Sequence, residues 1–123
     1  MYWTALLLTA LVAVEHAGIM ILEMFYWAEP IGLKSFNLSQ EFANASKVLA
    51  ANQGLYNGFL GAGLIWALIS GKRDVRIFFL GCVIVAGVYG GVTAKTSILF
   101  VQALPAALAL LATLAAGRGS REA

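Results

Sequence analysis

The chain has 123 residues, 61% of them apolar or aromatic and only 11% charged, with a net charge of +2. That composition excludes an ordinary soluble globular domain and places the chain in a lipid bilayer. The length allows one domain of four membrane helices and leaves no room for a soluble catalytic module.

Four apolar stretches follow in order, and a spanning helix needs about 17 to 25 residues. They are expected over residues 2–27, 48–70, 77–93 and 97–116, with an outer loop over 28–47. The fold class is therefore an all-α membrane protein, a single antiparallel bundle of four transmembrane helices. Lys72, Arg73, Arg76, Arg118 and Arg121 share a side with the N-terminus, against Lys34, Lys47 and Lys95 opposite. The excess of basic residues puts both the N and C termini in the cytoplasm. A bacterial inner (plasma) membrane is the expected location.

The first stretch interrupts its apolar run with Glu15 and His16 near mid-span and Glu23 two turns on. Ionisable side chains in hydrocarbon cost a few kcal/mol each, so they mark protein interiors or wet cavities. The start Met1-Tyr2-Trp3-Thr4 has no basic segment of the kind that opens a signal peptide, so a spanning helix is expected instead. Tyr2-Trp3 and Phe25-Tyr26-Trp27 suit the inner and outer interfaces.

The outer loop opens with the turn signal Glu29-Pro30-Ile31-Gly32. Asn37 with Gln40 predicts the cap of a short interfacial helix carrying Leu38 and Phe42 on one face. Asn37-Leu38-Ser39 and Asn44-Ala45-Ser46 fit the glycosylation sequon, which has meaning only in a eukaryotic secretory setting.

The second stretch carries Asn52, Gln53, Tyr56 and Asn57 as a polar flank, backed by Gly54-x-x-x-Gly58. The glycines let another helix approach closely, and a homodimer through Gly54 and Gly58 is one use of them. If the first two helices run antiparallel from Trp27 and Val48, residues at equal depth have numbers summing to about 75 on a common rise. Glu23 then lies level with Asn52 and Gln53, and His16 level with Asn57. A polar seam between these helices is predicted, open or nearly open to the outside.

The third stretch is short, with Arg76 and Lys95 placed to snorkel to its two interfaces. Gly81, Gly87, Gly90 and Gly91 favour close packing, Tyr89 can send its hydroxyl to a neighbour, and Gly71-Lys72-Arg73-Asp74 predicts a tight turn before it. The single cysteine, Cys82, excludes an internal disulfide and a CxxC pair and reads as packing. In the fourth stretch Pro105 removes a backbone bond, with Gln102 about one turn before it as a partner for the freed carbonyl. The tail Arg118-Gly119-Ser120-Arg121 is too short for a nucleic-acid arm, and no nucleic-acid partner is expected.

Glu23-Met24-Phe25-Tyr26-Trp27, Glu41-Phe42 and the block from Ser46-Lys47-Val48-Leu49-Ala50-Ala51 through Asn52-Gln53-Gly54-Leu55-Tyr56-Asn57-Gly58-Phe59-Leu60 together resemble the DUF1304 family of small integral membrane proteins. The resemblance covers nearly the whole chain. Gly61 and Ser46 stand where the family pattern has alanine and threonine, both conservative changes. The resemblance implies a four-helix, mostly bacterial membrane protein without an established activity; the epimerase label that some members carry has no counterpart in these residues.

Three functions fit the polar residues. A mononuclear metal centre does not, because His16 and Glu23 stand about 10 Å apart in rise while ligand bonds are near 2 Å; no metal and no other cofactor is expected. Proton-linked binding or transport of a small solute or lipid-like ligand uses Glu15, His16, Glu23, Asn52, Gln53, Tyr56 and Asn57 without demanding tight geometry. Burial disfavours the charged form of each ionisable group, so protonation can compete with a cationic solute. Catalysis on a lipid-like substrate would make Glu23 or His16 a general base, though no nucleophile elbow, phosphate loop or cofactor fingerprint is present. The third use is interhelical glue in an accessory subunit of a membrane complex, each bond contributing about 0.6 to 2 kcal/mol.

Overall fold

The computed structural model describes residues 1–117, and its described residues are helical apart from the connecting turns. The basic tail with Arg118 and Arg121 lies outside the described residues.

Helix α1 spans Tyr2–Phe25, a run with neither proline nor an internal charge before Glu15. Its buried Thr9 hydroxyl donates to the Ala5 carbonyl at 2.7 Å, so the helix satisfies that group itself. The chain turns after Phe25, and α2 follows over Pro30–Phe36. Proline stands in the first turn of α2, where the missing N–H would have had no helical partner anyway. The turn signal at Glu29-Pro30 thus opens a helix.

Asn37 does not cap a helix from the N-terminal side, as the sequence suggested. It closes α2 in the left-handed conformation, φ 56° and ψ 54°, which asparagine tolerates better than most residues. Ser39 provides the cap that follows, its Oγ accepting the Phe42 N–H at 3.1 Å. Helix α3 then runs without a break over Gln40–Ser70, so the expected loop over 28–47 is helical for most of its length. The boundary expected at Val48 marks a change of hydropathy; helix-forming residues without Gly or Pro precede it from Gln40 to Lys47 and carry the helix through.

Gly71, at φ 69°, ends α3 in a conformation that a side chain would strain. Helix α4 spans Arg73–Thr93. Arg76 does not snorkel: it is fully buried, one and two turns ahead of the core residues Leu80 and Val83 on the same helix face. Lys95 beyond the other end is exposed, as is Tyr89 at 70%. A π turn over Leu99–Ala103 precedes α5, Leu104–Ala116, with the Leu104 N–H reaching back to the Leu99 carbonyl. This wider turn immediately before Pro105 gives the proline ring its room.

Among the described residues, three helices are long and apolar enough to cross a membrane: Tyr2–Phe25, Arg73–Thr93 and Leu99–Ala116. Helix α3 is longer than any of them but less apolar, because its amides and glycines dilute the hydropathy.

The chain divides into two compact units, Glu15–Phe59 and Met1–Val14 with the chain from Leu60 onward. The second holds a core of Val12, Ala13, Leu64, Leu80, Val83, Ala106 and Ala109. Glycine brings its backbones together. A Cβ at Gly87 would stand 2.8 Å from the Ala103 nitrogen and 2.9 Å from its Cα, and one at Gly91 would overlap the Leu99 side chain. Gly81, expected to do the same, faces nothing within 4 Å among the described residues. Cys82 is a half-buried free thiol in this unit. At its edge Arg73 Nη2 donates to the Thr113 carbonyl at 3.4 Å, and Lys72 Nζ lies 5.9 Å from the Trp66 ring centre.

Candidate ligand site

Within Glu15–Phe59 the C-terminal half of α1 packs on the first half of α3, and the glycines set the distance. A Cβ on Gly54 would come within 2.8 Å of Met24 Cγ and 2.9 Å of Glu23 Cβ; one on Gly58 would meet Met20 Sδ at 2.5 Å. The face that sequence offers to a second copy is therefore occupied by Met20, Glu23 and Met24 of the same chain.

This close approach brings Glu23 under α3. The residue is 3% exposed, and its two carboxylate oxygens take separate donors: Asn57 Nδ2 to Oε1 at 2.6 Å and Gln53 Nε2 to Oε2 at 2.8 Å. Gln53 and Asn57 are one turn apart on one face of α3, which lets each amide reach one oxygen of a single carboxyl. Asn57 thus meets Glu23, where equal depth had put it opposite His16; the reach of the glutamate side chain outweighs the difference in rise.

The surroundings of that carboxyl are negative. Glu23 lies in the last turn of α1, where the helix carries its negative end, and no basic residue occupies that turn. Both of its side-chain donors are neutral amides. Over Glu15–Phe59 four glutamates (15, 23, 29 and 41) face two lysines (34 and 47), a formal −2 in a chain whose total is +2.

The other candidates are distributed differently. His16 is fully buried two turns before Glu23. Glu15 is half-buried, with its Oε1 enclosed and, among the described residues, without a hydrogen-bond partner. Asn52 is exposed, and Tyr56 is 61% exposed with its ring edge-on to Phe59 at 5.7 Å. The structure therefore joins Glu23, Gln53 and Asn57 and leaves Asn52 and Tyr56 on the outer face of α3.

Several supporting contacts were not read from the sequence. Met20 and Met24 flank Glu23 at spacings of three and one, so the periodicity of α1 could have revealed Met20 on its face. Beyond them Trp27 Nε1 donates to Ser46 Oγ at 3.0 Å, Ser46 donates to the Phe42 carbonyl at 2.7 Å, and the Trp27 ring lies 4.9 Å from Phe36. Gln40 Nε2 donates to the Ala28 carbonyl at 3.1 Å and to Asn44 Oδ1 at 2.9 Å. Nothing in their spacing announces these links, because they depend on the path of the chain through α2.

These features define a small all-helical protein with helices apolar enough for a membrane and one carboxylate buried between two amides. The chain belongs to the DUF1304 family, whose model, described as a protein of unknown function, matches residues 10–114. It is similar to the uncharacterized protein YpaA of Lactococcus lactis subsp. lactis (strain IL1403), 35% identical over 112 residues that cover 88% of this chain and 94% of that relative. No solved structure matches the chain.

Proposed function

We propose that the protein is a bacterial inner-membrane protein that binds, and carries with proton linkage, a small solute or lipid-like ligand at the seam of Glu23, Gln53 and Asn57. The single observation behind this reading is the Glu23 carboxyl, 3% exposed and held by two neutral amides. A group of that kind is costly in a membrane protein and is retained where a proton or a ligand must be met. Glu15 and His16 supply further titratable groups on the same helix, and Asn52 and Tyr56 form the outward edge.

In this reading the chain crosses four times as an antiparallel bundle with both termini in the cytoplasm. Helix α3 is the fourth span: its 31 residues extend about 46 Å, against a hydrocarbon core of about 30 Å. No charged residue falls between Val48 and Ser70, and Lys72, Arg73 and Arg76 follow on the cytoplasmic side.

The test is flux. Purified protein in sealed vesicles should carry protons or solute in a way that Glu23→Gln or Glu15→Gln abolishes. A second reading, in which the three residues are interhelical glue in an accessory subunit, is favoured by the fact that carboxylate and amides already satisfy one another within the chain. It expects Glu23→Gln to leave flux at background throughout and to alter only assembly with another membrane protein.

A further inference from the structure

The amides around Glu23 differ in a way that specifies what can replace one of them. Asn57 is half-buried and gives its hydrogen to Oε1 at 2.6 Å, whereas Gln53 is exposed and gives its hydrogen to Oε2 at 2.8 Å. A fixed donor thus holds one oxygen and a movable one covers the other. When each amide serves as donor, the atom it has left is its carbonyl oxygen, an acceptor. Met20 and Met24 pack against Gly58 and Gly54 of α3 on either side of Glu23 in sequence, and the carboxyl lies at the negative end of α1. The amide oxygens left over accept hydrogens, the carboxyl and the helix end attract positive charge, and the two lysines of the unit are both exposed.

We propose that the site takes a cation bearing N–H donors, a primary ammonium, which displaces Gln53 from Oε2 while Asn57 stays in place. The ammonium hydrogen takes the position of the Gln53 amide hydrogen, and the freed Gln53 turns its carbonyl oxygen to a second ammonium hydrogen. An anion is excluded by the carboxylate. A quaternary ammonium has no hydrogen to give and leaves Oε2 unsatisfied, which a buried acceptor does not tolerate. Two sources carry this chemistry, a free alkylamine and the headgroup of an aminophospholipid.

This inference rests on the ligand-binding reading above, and the experiment separates the two. The full-length protein, with glutamine and asparagine side-chain amides labelled with 15N, is placed in phosphatidylcholine nanodiscs and titrated with methylammonium, tetramethylammonium and acetamide. A parallel arm adds phosphatidylethanolamine to the bilayer. Methylammonium, or phosphatidylethanolamine alone, should shift the Gln53 amide resonance saturably and the Asn57 resonance much less. Tetramethylammonium should bind roughly tenfold or more weakly, the loss expected for one charge-assisted hydrogen bond. Glu23→Gln should remove the response, and Gln53→Leu, which leaves the carboxyl in place but takes away the second acceptor, should bind methylammonium more weakly than the parent, read at the Asn57 resonance. Equal affinity for methylammonium and tetramethylammonium, or a Glu23-dependent response to acetamide alone, overturns the ammonium assignment and leaves ligand binding standing. A folded Glu23→Gln protein that responds as the parent does, or no Glu23-dependent response to any of these probes, overturns both.

Discussion

The two units of this chain bury polar groups for different ends. In the unit of Met1–Val14 and Leu60 onward, buried hydroxyls close on their own helices: Thr9 returns its hydrogen to Ala5, and Thr113 to Ala109. In Glu15–Phe59, the buried carboxyl of Glu23 takes its hydrogens from a different helix, thirty and thirty-four residues away. Charge divides in the same sense, with −2 over Glu15–Phe59 and the remaining +4 elsewhere, from six basic and two acidic residues. A hydroxyl bonded within its helix costs little wherever that helix goes. A carboxyl that depends on another helix couples helix packing to its own charge state, and such coupling is what a binding site exploits.

The largest effects should come from glycines whose neighbours are backbone. A Cβ at Gly32 would overlap the carbonyl oxygens of Tyr26 and Trp27, and these cannot yield without undoing the turn into α2. Gly32→Ala should destabilise the protein by about 3 kcal/mol or more, above the usual cost of overpacking. Gly87→Ala, pressed against the Ala103 backbone, should cost about 1 to 3 kcal/mol. Thermal unfolding of the two variants in detergent would check the order; a Gly32→Ala protein as stable as the parent would mean that the Tyr26 and Trp27 carbonyls yield to the added methyl.

Next comes the carboxyl itself. Glu23→Ala leaves the Gln53 and Asn57 amides without their acceptor, a loss of about 1 to 3 kcal/mol for each donor that stays buried. Asn57, the less exposed of the two, should account for most of it. Glu23→Gln keeps one carbonyl acceptor and should be milder. The same comparison carried to Thr113→Val should cost less than Glu23→Ala, because the hydroxyl there serves only its own helix. Denaturation midpoints of the three variants rank these effects.

How far these contrasts were legible in the sequence depends on the kind of signal. The helical class, the family and the partnership of Glu23 with Gln53 followed from hydropathy, from the second-helix block and from equal rise along two antiparallel helices. The link from Glu23 to Asn57 did not, because a depth rule ignores side-chain length. Arg76 was read at an interface from its position at the end of an apolar run, yet its register with Leu80 and Val83 buries it. Helix ends were misplaced where hydropathy and helix propensity part company, as over Gln40–Lys47. Ser39, only two residues from Asn37, took the capping role because two small polar residues there competed for one position and the left-handed turn settled it.

Acid should weaken cation binding at Glu23. A protonated carboxyl loses its charge and one acceptor, so affinity for methylammonium is highest where Glu23 is ionised and falls as pH falls. The α3 groups facing it, Gln53, Gly54 and Asn57, do not titrate, while Glu15 and His16 lie two turns away on α1. Glu15→Gln should therefore leave the direction of the pH dependence unchanged. Titrations of the labelled protein across pH would show it, and an affinity that rises in acid would put the cation elsewhere.

The smallest effects test whether glycine in this chain always serves contact. At Gly58 an added methyl meets Met20 Sδ, the flexible part of a side chain, and at Gly81 it meets nothing within 4 Å. Alanine is favoured over glycine in a helix interior by up to about 1 kcal/mol, because it loses less backbone freedom on folding. At Gly58 that gain is set against the displacement of Met20, so Gly58→Ala should change stability by less than about 1 kcal/mol, while methylammonium affinity reports whether Met20 lines the site. At Gly81 nothing opposes the gain, and Gly81→Ala should raise the unfolding midpoint slightly. A clear loss of stability in Gly81→Ala would mean that something outside the described residues packs there, and Gly81 would then mark a contact surface on the face of α4.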